Sequence, residues 1–318
     1  MESLLHSTPF HTTVPSCFIF PPDQLKPATS TAVSLPLVDL SGRRDEVCRA
    51  MHPRLRQGSR LLPGNVGHEV SKEFFQLPVA AKADFYSEDV NKANRLFSGT
   101  VYDTDGERYW RDCLHLSCSF PVGDSAKGWP DRPYRLREVV EKYTVQTRGR
   151  GPGHDYFAGD TAGGDVVLNV NHYPPCPDPS LTLGLPPHCD RCLITVLLPG
   201  TVPGLEVAYR GDWVKVEAVP NAFVVNFGCQ LEIVTNGILK SIEHRVMTNL
   251  RVPRTTVATF IMPTRDCVIG PAEEFIGEDN PPCYRTLTFG EFQRIFRVVR
   301  LGSSLNCTTN LKNAQKER

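Results

Sequence analysis

His188-Cys189-Asp190 sets an imidazole and a carboxylate two residues apart. In an extended strand, or the loop that flanks it, residues i and i+2 point the same way, so both groups can face one point while Cys189 turns aside. Glu243-His244-Arg245 brings a second imidazole from another strand-like stretch. Two histidines and one carboxylate on one face of a metal leave its opposite positions open, and that donor set suits non-haem iron(II). Arg254 and Thr256 follow in the next alternating apolar segment, again two residues apart. A guanidinium fork near an open iron position suits a bidentate dicarboxylate reactant, and the Thr256 hydroxyl can add a hydrogen bond to it.

Every one of these residues also has a plainer role. A lone His-x-Asp arises by chance, His188 and His244 could be satisfied core histidines, and Asp190 could be a turn residue. Cys189-x-x-Cys192 overlaps the same stretch and raises zinc or redox chemistry instead. A structural zinc site wants a second Cys or His pair at similar spacing, and none stands out. A zinc-binding cupin-like protein would also have no need of Arg254. Cys189 and Cys192 then read as small buried hydrophobes.

Asn171-His-Tyr-Pro-Pro-Cys-Pro177, Pro187-His-Cys-Asp190, Ser241-Ile-Glu-His-Arg-Val246 and Arg254-Thr-Thr-Val-Ala-Thr-Phe260 together resemble the plant 2-oxoglutarate/Fe(II)-dependent dioxygenases. Asn91-Lys-Ala-Asn-Arg-Leu-Phe-Ser-Gly99, Tyr109-Trp-Arg-Asp-Cys-Leu114 and Leu301-Gly-Ser-Ser-Leu-Asn306 are similar to the grass mugineic-acid subgroup, whose members hydroxylate 2′-deoxymugineic acid or its relatives. The resemblance implies a double-stranded β-helix (jelly roll) with N-terminal helices and a C-terminal helix. It implies Fe(II) on His188, Asp190 and His244, and 2-oxoglutarate as co-substrate on Arg254, Thr256, Tyr173 and Asn171, with ascorbate keeping the iron reduced. Asn171 and Tyr173 could instead only shape the proline-rich bend after their strand. The implied reaction consumes dioxygen and hydroxylates a small metabolite of the phytosiderophore class. An amino-polycarboxylate of that kind would want cationic partners, for which Arg191, Arg95 and Arg111 are the candidates.

The chain departs from that family in places. Thr256 stands where Ser is usual, which keeps the hydroxyl but stiffens the strand. Cys229 replaces an Asp after the Asn-x-Gly turn. Residues 58–68 lack an aromatic strand ending in Asn-His-Gly, and Pro63 would remove a ladder hydrogen bond there. Residues 148–154 hold three glycines and a proline where a longer helix is expected. These two segments keep open an alternative, a non-catalytic or poorly folding relative that retains the metal ligands.

Composition narrows the classes. Lys+Arg and Asp+Glu number 35 each, so nothing favours a nucleic-acid or anionic membrane partner, and the Arg-Gly tract at 148–154 is too short to change that. Eleven cysteines without clustered spacing read as reduced thiols in a cytoplasmic protein. No positively charged leader or membrane-length apolar run is legible. A monomer acting on a small molecule is the expectation.

The elements that must position the site are mostly strands. Short runs at Val166–Tyr173, Leu193–Leu198, Leu205–Tyr209, Trp213–Ala218, Ala222–Phe227, Ser241–Thr248 and Arg254–Met262 are punctuated by turn residues, as in a jelly roll. Arg210-Gly211-Asp212 and Pro220-Asn221 read as turns, and Gln230–Thr235 as one inserted helical turn. Upstream, 1–33 reads as a loose lead-in, 34–40 as a first strand and 45–57 as a helix that Pro53 ends. Short helices are predicted over 69–75 and 78–85, an amphipathic one over 136–145, and a last one over 287–299 with Phe289, Phe292, Phe296 and Val299 in a stripe. Three regions follow: 34–147, N-terminal and divergent at 58–68; 160–265, the jelly-roll core; and 266–318, the C-terminal helix and tail.

Overall fold

Alternating apolar residues in the strand-like runs pair into two facing sheets. The computed structural model of the chain describes residues 12–33, 35, 65–98, 108–120, 122–149, 163–219 and 222–297. One sheet has five strands in the order β1-β8-β7-β10-β5: β1 Thr29–Val33, β8 Asp212–Val216, β7 Leu205–Tyr209, β10 His244–Met247 and β5 Leu183–His188. The other has six in the order β2-β3-β4-β11-β6-β9: β2 Asn94–Ser98, β3 Asp112–Cys118, β4 Val166–Tyr173, β11 Arg254–Ile261, β6 Ile194–Leu198 and β9 Val224–Phe227. All pairings within them are antiparallel except β1 with β8. This is the jelly roll expected, and its six-stranded sheet draws strands from both sides of residue 160.

The two faces of the larger sheet have different tasks. On one face Leu96, Leu114, Leu168, Val170 and Val257 pack against Val70 and Phe74 of α1 (Asn65–Gln76) and Val139 and Val140 of α4 (Leu136–Gly149). The other face looks toward the five-stranded sheet, and there Leu197, Val224 and Ala258 meet Leu205, Val207, Val214 and Val216. Burying such side chains on both faces is the main stabilising contribution. A separate apolar cluster joins α5 (Cys229–Val234) to β12 (Val268–Ile269), β13 (Leu287–Thr288) and α6 (Phe289–Arg297). Phe289, Phe292 and Phe296 are all buried there as expected, while Val299 lies outside the described residues.

Several sequence expectations change. The stretch 16–33 is an ordered part of the fold, with two 3-10 turns and β1. Its fixation has a physical cause: Arg245, fully buried, needs acceptors beyond its Glu206 partner, and its guanidinium donates to the carbonyls of Gln24 (3.2 Å) and Lys26 (2.6 Å). Phe18 adds an edge-on contact with Trp110. Of the strand read at 34–40 only residue 35 is described, and it is not in a strand; the helix at 45–57, the altered stretch 58–64 and the turn at 220–221 lie outside the described residues, as do 150–154. Residues 65–68 form the first turn of α1, and α4 continues to Gly149, past the predicted stop. A strand over 183–188 was not predicted, because Gly184, Pro186 and Pro187 argue against one; β5 tolerates them because it lies at the edge of its sheet. The Arg210-Gly211 turn is a two-residue hairpin loop with φ of 53° and 89°, both positive, as that tight connection requires.

Residues 78–85 form α2 (Val79–Lys82) followed by a 3-10 turn, and α3 is Val122–Ala126. Lys82 is buried and donates to the Phe75 carbonyl near the end of α1 (2.7 Å). Burial pushes its ammonium down from the usual 10.5 to about 8, with the Asp112 carboxylate pulling the other way. Between those pH values the unfolded chain holds more protons at this position than the folded one, so stability rises with pH across the window; below about pH 8 both states are protonated and the effect is constant. The melting temperature of the wild-type protein relative to Lys82→Met should therefore increase between about pH 7.5 and 10. A difference that stays flat across that range would refute the shift.

Candidate metal centre

His188 ends β5 and His244 begins β10, and the two are direct partners in the antiparallel register. Side chains at paired positions share a face, so the imidazoles stand beside each other with ring centroids 4.2 Å apart. Each ring is held in the same way. His188 Nδ1 donates to the Pro186 carbonyl (2.8 Å) and His244 Nδ1 to the Ile242 carbonyl (3.1 Å). That fixes the tautomer and leaves both Nε2 atoms as acceptors. Both point at Asp190 Oδ1, at 3.9 and 3.8 Å, and the three donor atoms lie within 4.8 Å of one another.

Asp190 lies just past β5 in a loop tied to the start of α5. The Cys229 N–H donates to the Asp190 carbonyl (2.8 Å), Gly228 N–H to Leu193 (2.9 Å) and Gln230 Nε2 to the Arg191 carbonyl (3.1 Å). Gly228 is required by this approach, since a Cβ there would meet the Cys192 carbonyl oxygen at 1.9 Å. Asn226 Nδ2 donates to Asp190 Oδ2 (3.4 Å), leaving Oδ1 toward the histidines. On the other side, the buried Glu232 carboxylate accepts from Ser241 N–H (2.8 Å) and Tyr284 hydroxyl (2.8 Å), which anchors the approach to His244. The donors are shielded from solvent, and burial followed by the neighbouring His244 drives the His188 pKa down to about 3, with Asp190 opposing. A neutral imidazole is the form that ligates metal.

The cysteines stay out of this cluster. Among the described residues no thiol joins a group of ligand-capable side chains. Burial pushes the Cys189 thiol up to about 12 and Cys192 well above its usual value, so both are protonated. The Cys-x-x-Cys zinc reading gains no support, because the ligand-capable group among the described residues is His188, Asp190 and His244 with no thiol in it. Eight described cysteines are free, whereas Cys229 is disulfide-bonded, so the expectation of uniformly reduced thiols fails at that position.

Across from the histidines, β11 and β4 set Arg254 opposite Tyr173 and Thr256 opposite Asn171. Asn171 Nδ2 donates to Thr256 Oγ1 (3.3 Å), so the extra methyl of threonine leaves the hydroxyl in place. Arg254 is buried, with Nε donating to the Val202 carbonyl (3.0 Å) and its guanidinium 5.3 Å from the Tyr173 ring centre. No carboxylate among the described residues pairs with it. Tyr173 in turn lies against β5, where Gly184 leaves the room; a Cβ there would meet the ring at 2.6 Å. Helix α1 steadies β11 from behind, since His68 Nε2 donates to the Thr255 carbonyl (2.8 Å).

The three further arginines differ. Arg111 Nη1 donates to Asn171 Oδ1 (3.1 Å), and its charge is felt at His188. Arg95 occupies the same sheet face on β2, over the Phe97 ring. Arg191 stands with its guanidinium 5.9 Å from the Phe296 ring of α6. Sequence reasoning missed Asn226, Glu232 and His68; only the Asn226-x-Gly228 turn carried a legible signal.

Replacing Asn226 by Ala should lower Fe(II) affinity about 10- to 100-fold with the fold retained, as read by anaerobic titration. Gly228→Ala should cost on the order of 3 kcal/mol or more in urea unfolding, because backbone rather than a flexible side chain blocks the new Cβ; a variant as stable as the parent would contradict the packing described.

Comparison with known proteins agrees with this geometry. Residues 164–263 match the 2OG-Fe(II) oxygenase superfamily. The chain is 58% identical over 341 residues to 2'-deoxymugineic-acid 2'-dioxygenase of Hordeum vulgare, covering 100% of both chains. It is 51% identical over 338 residues to mugineic-acid 3-dioxygenase of the same plant, covering 99% of each. Among solved structures, the crystal structure of JOX2 in complex with 2OG, Fe, and JA superposes with a TM-score of 0.82 at 28% identity, over 96% of this chain and 95% of that one.

Proposed function

The chain belongs to the 2OG-Fe(II) oxygenase superfamily, and from that we propose that it hydroxylates an amino-polycarboxylate of the mugineic-acid type, with His188, Asp190 and His244 holding the iron. It is a dioxygenase that uses Fe(II) and 2-oxoglutarate. The observation that carries the site assignment is the convergence of two Nε2 atoms on Asp190 Oδ1 within 3.9 Å. With dioxygen, iron and 2-oxoglutarate supply the oxidising power: one oxygen atom enters the substrate C–H bond, and succinate and carbon dioxide leave.

The chain's own part is binding, orientation and exclusion of water. Two imidazoles with tautomers fixed from behind and one carboxylate oxygen give three donors on one side, leaving the other side for reactants. Arg254 offers a buried cation for the far carboxylate of 2-oxoglutarate, the Thr256 hydroxyl and Tyr173 phenol stand beside it, and Asn171 links Thr256 to Arg111. A buried guanidinium without an acid partner is destabilising until an anion meets it, which favours a carboxylate ligand at this position. Arg111, Arg95 and Arg191 are the cations proposed for the substrate.

The substrate class is supported by the two barley relatives, named for acting on 2'-deoxymugineic acid and mugineic acid. A cytoplasmic setting is our reading, favoured by eight of the nine described cysteines being free thiols and opposed by Cys229; we read the enzyme as a monomer, for which the sedimentation mass of a single chain is the check. No helix among the described residues is long and apolar enough to cross a membrane. The non-catalytic alternative keeps the metal ligands and turns on residues 58–64 and 150–154, which lie outside the described residues; succinate release by soluble protein separates it from the active reading.

Anaerobic titration with Fe(II) and 2-oxoglutarate, followed by succinate release with 2'-deoxymugineic acid and mugineic acid, tests the proposal. His188→Ala or Asp190→Ala should abolish iron-dependent succinate release. Arg254→Gln should weaken 2-oxoglutarate about 10- to 100-fold while leaving Fe(II) binding intact. Full succinate release by Asp190→Ala would sink the metal assignment.

A further inference from the structure

One cation on the inward face of the six-stranded sheet is left without a task by the iron and co-substrate reading. The registers of β2 with β3, β3 with β4 and β4 with β11 set Arg95, His115, Asn169 and Ala258 side by side in a row across the sheet. Arg254 lies four residues before Ala258 on β11, so the row stands roughly 13 Å along the strands from the co-substrate position. A carboxylate bound in this row is therefore a different one from that on Arg254.

Arg95 is only 3% exposed. Among the described residues its hydrogen bond runs from Nη1 to the Ser87 carbonyl, long at 3.5 Å, and its Nε meets no partner there. The Phe97 ring lies under the guanidinium at 4.1 Å and fixes its plane. The nearest acids act on it only through space: Glu88 accepts from the Tyr86 hydroxyl and pairs with Arg108, and Asp89 caps Asn91. A buried, oriented fork with unused donors is built for a planar anion.

Its row neighbour supplies the complement. His115 Nδ1 lies 2.8 Å from Asn169 Oδ1, and an amide oxygen only accepts, so Nδ1 donates and Nε2 is left as an acceptor. Burial first, and then the charges of Arg95 and Arg111, hold the imidazole neutral despite Asn169. A cationic fork beside a neutral acceptor matches a carboxylate that carries an ammonium or hydroxyl next to it.

We propose that Arg95 and His115 form a substrate subsite that takes one carboxylate of an amino-acid-type substrate and the donor group beside it, so that Arg95 sets specificity for that end of the molecule. The proposal rests on the iron and co-substrate reading above and names the part of the pocket that reading leaves unassigned. The substrate then spans from this row to the iron with its reacting C–H bond at the far end.

Calorimetric titration of 2'-deoxymugineic acid and mugineic acid into anaerobic protein loaded with Fe(II) and 2-oxoglutarate reads the subsite directly. Arg95→Gln should weaken both compounds at least 10-fold, and Arg95→Lys, which keeps the charge but loses the fork, should recover part of that loss. Affinity for Fe(II) and for 2-oxoglutarate should be unchanged in both variants, since neither touches Arg95. Carboxamide analogues, with one carboxylate neutralised at a time, provide the ligand-side control: one of them should bind weakly to the wild-type protein yet no worse than the parent compound to Arg95→Gln. Equal binding of the parent compounds by wild type and Arg95→Gln overturns the subsite alone. A wild-type protein that binds 2-oxoglutarate but neither compound overturns the substrate class and the subsite with it, and one that fails to bind 2-oxoglutarate overturns the reading beneath both.

Discussion

The register that sets His244 opposite His188 is the constraint on which the metal end depends. Because strand side chains alternate, a slip of one residue in β10 would present Arg245 where His244 now stands. The fold guards against that slip from both faces of the strand. Arg245 is locked by Glu206 on the adjacent β7 and by the carbonyls of Gln24 and Lys26, and it stacks over Trp213. Ahead of the strand, Glu232 grips the Ser241 N–H. The N-terminal segment is thus mechanically tied to the metal site through its carbonyls on Arg245.

Charge is distributed with equal purpose. Positive and negative side chains balance over the whole chain, yet the inward face of the larger sheet gathers Arg254, Arg111 and Arg95, while the iron position has two neutral rings and one carboxylate. The pocket is therefore cationic around a metal whose protein ligands carry a single negative charge. Such a pocket favours reactants with several carboxylates. Global net charge said nothing of this, because the segregation arises only when β2, β3 and β11 align.

How much of this was legible in the sequence varied with the physics of each element. Val166–Tyr173 and Leu205–Tyr209 were read to the residue, the first because buried and half-buried positions alternate through most of it. Arg254 and Thr256 were legible because strand periodicity puts them on one face, whereas His188, Asp190, His244, Tyr173 and Asn171 were placed by motif spacing together with the family resemblance. β5, which carries His188, was missed because Gly184, Pro186 and Pro187 lower local strand preference, and only its edge position makes them tolerable. The order in 16–33 comes from a buried arginine more than 200 residues away in sequence, a contact with no local signature. Asn226, Glu232 and His68 act through single long-range hydrogen bonds, and a polar residue flanked by apolar ones gives no hint of which carbonyl or carboxylate it will meet.

Gly184 sets a dimension of the pocket. With no side chain there, the Tyr173 ring nests against β5, closer than any other residue would allow. The missing methyl acts as a gauge block that holds the two sheets at a fixed gap on the arginine side. A larger residue at that position would wedge the aromatic ring outward and prise the roll open at its mouth. Any side chain at that vacant spot therefore acts on the co-substrate end through Tyr173 and leaves the three iron ligands where they are.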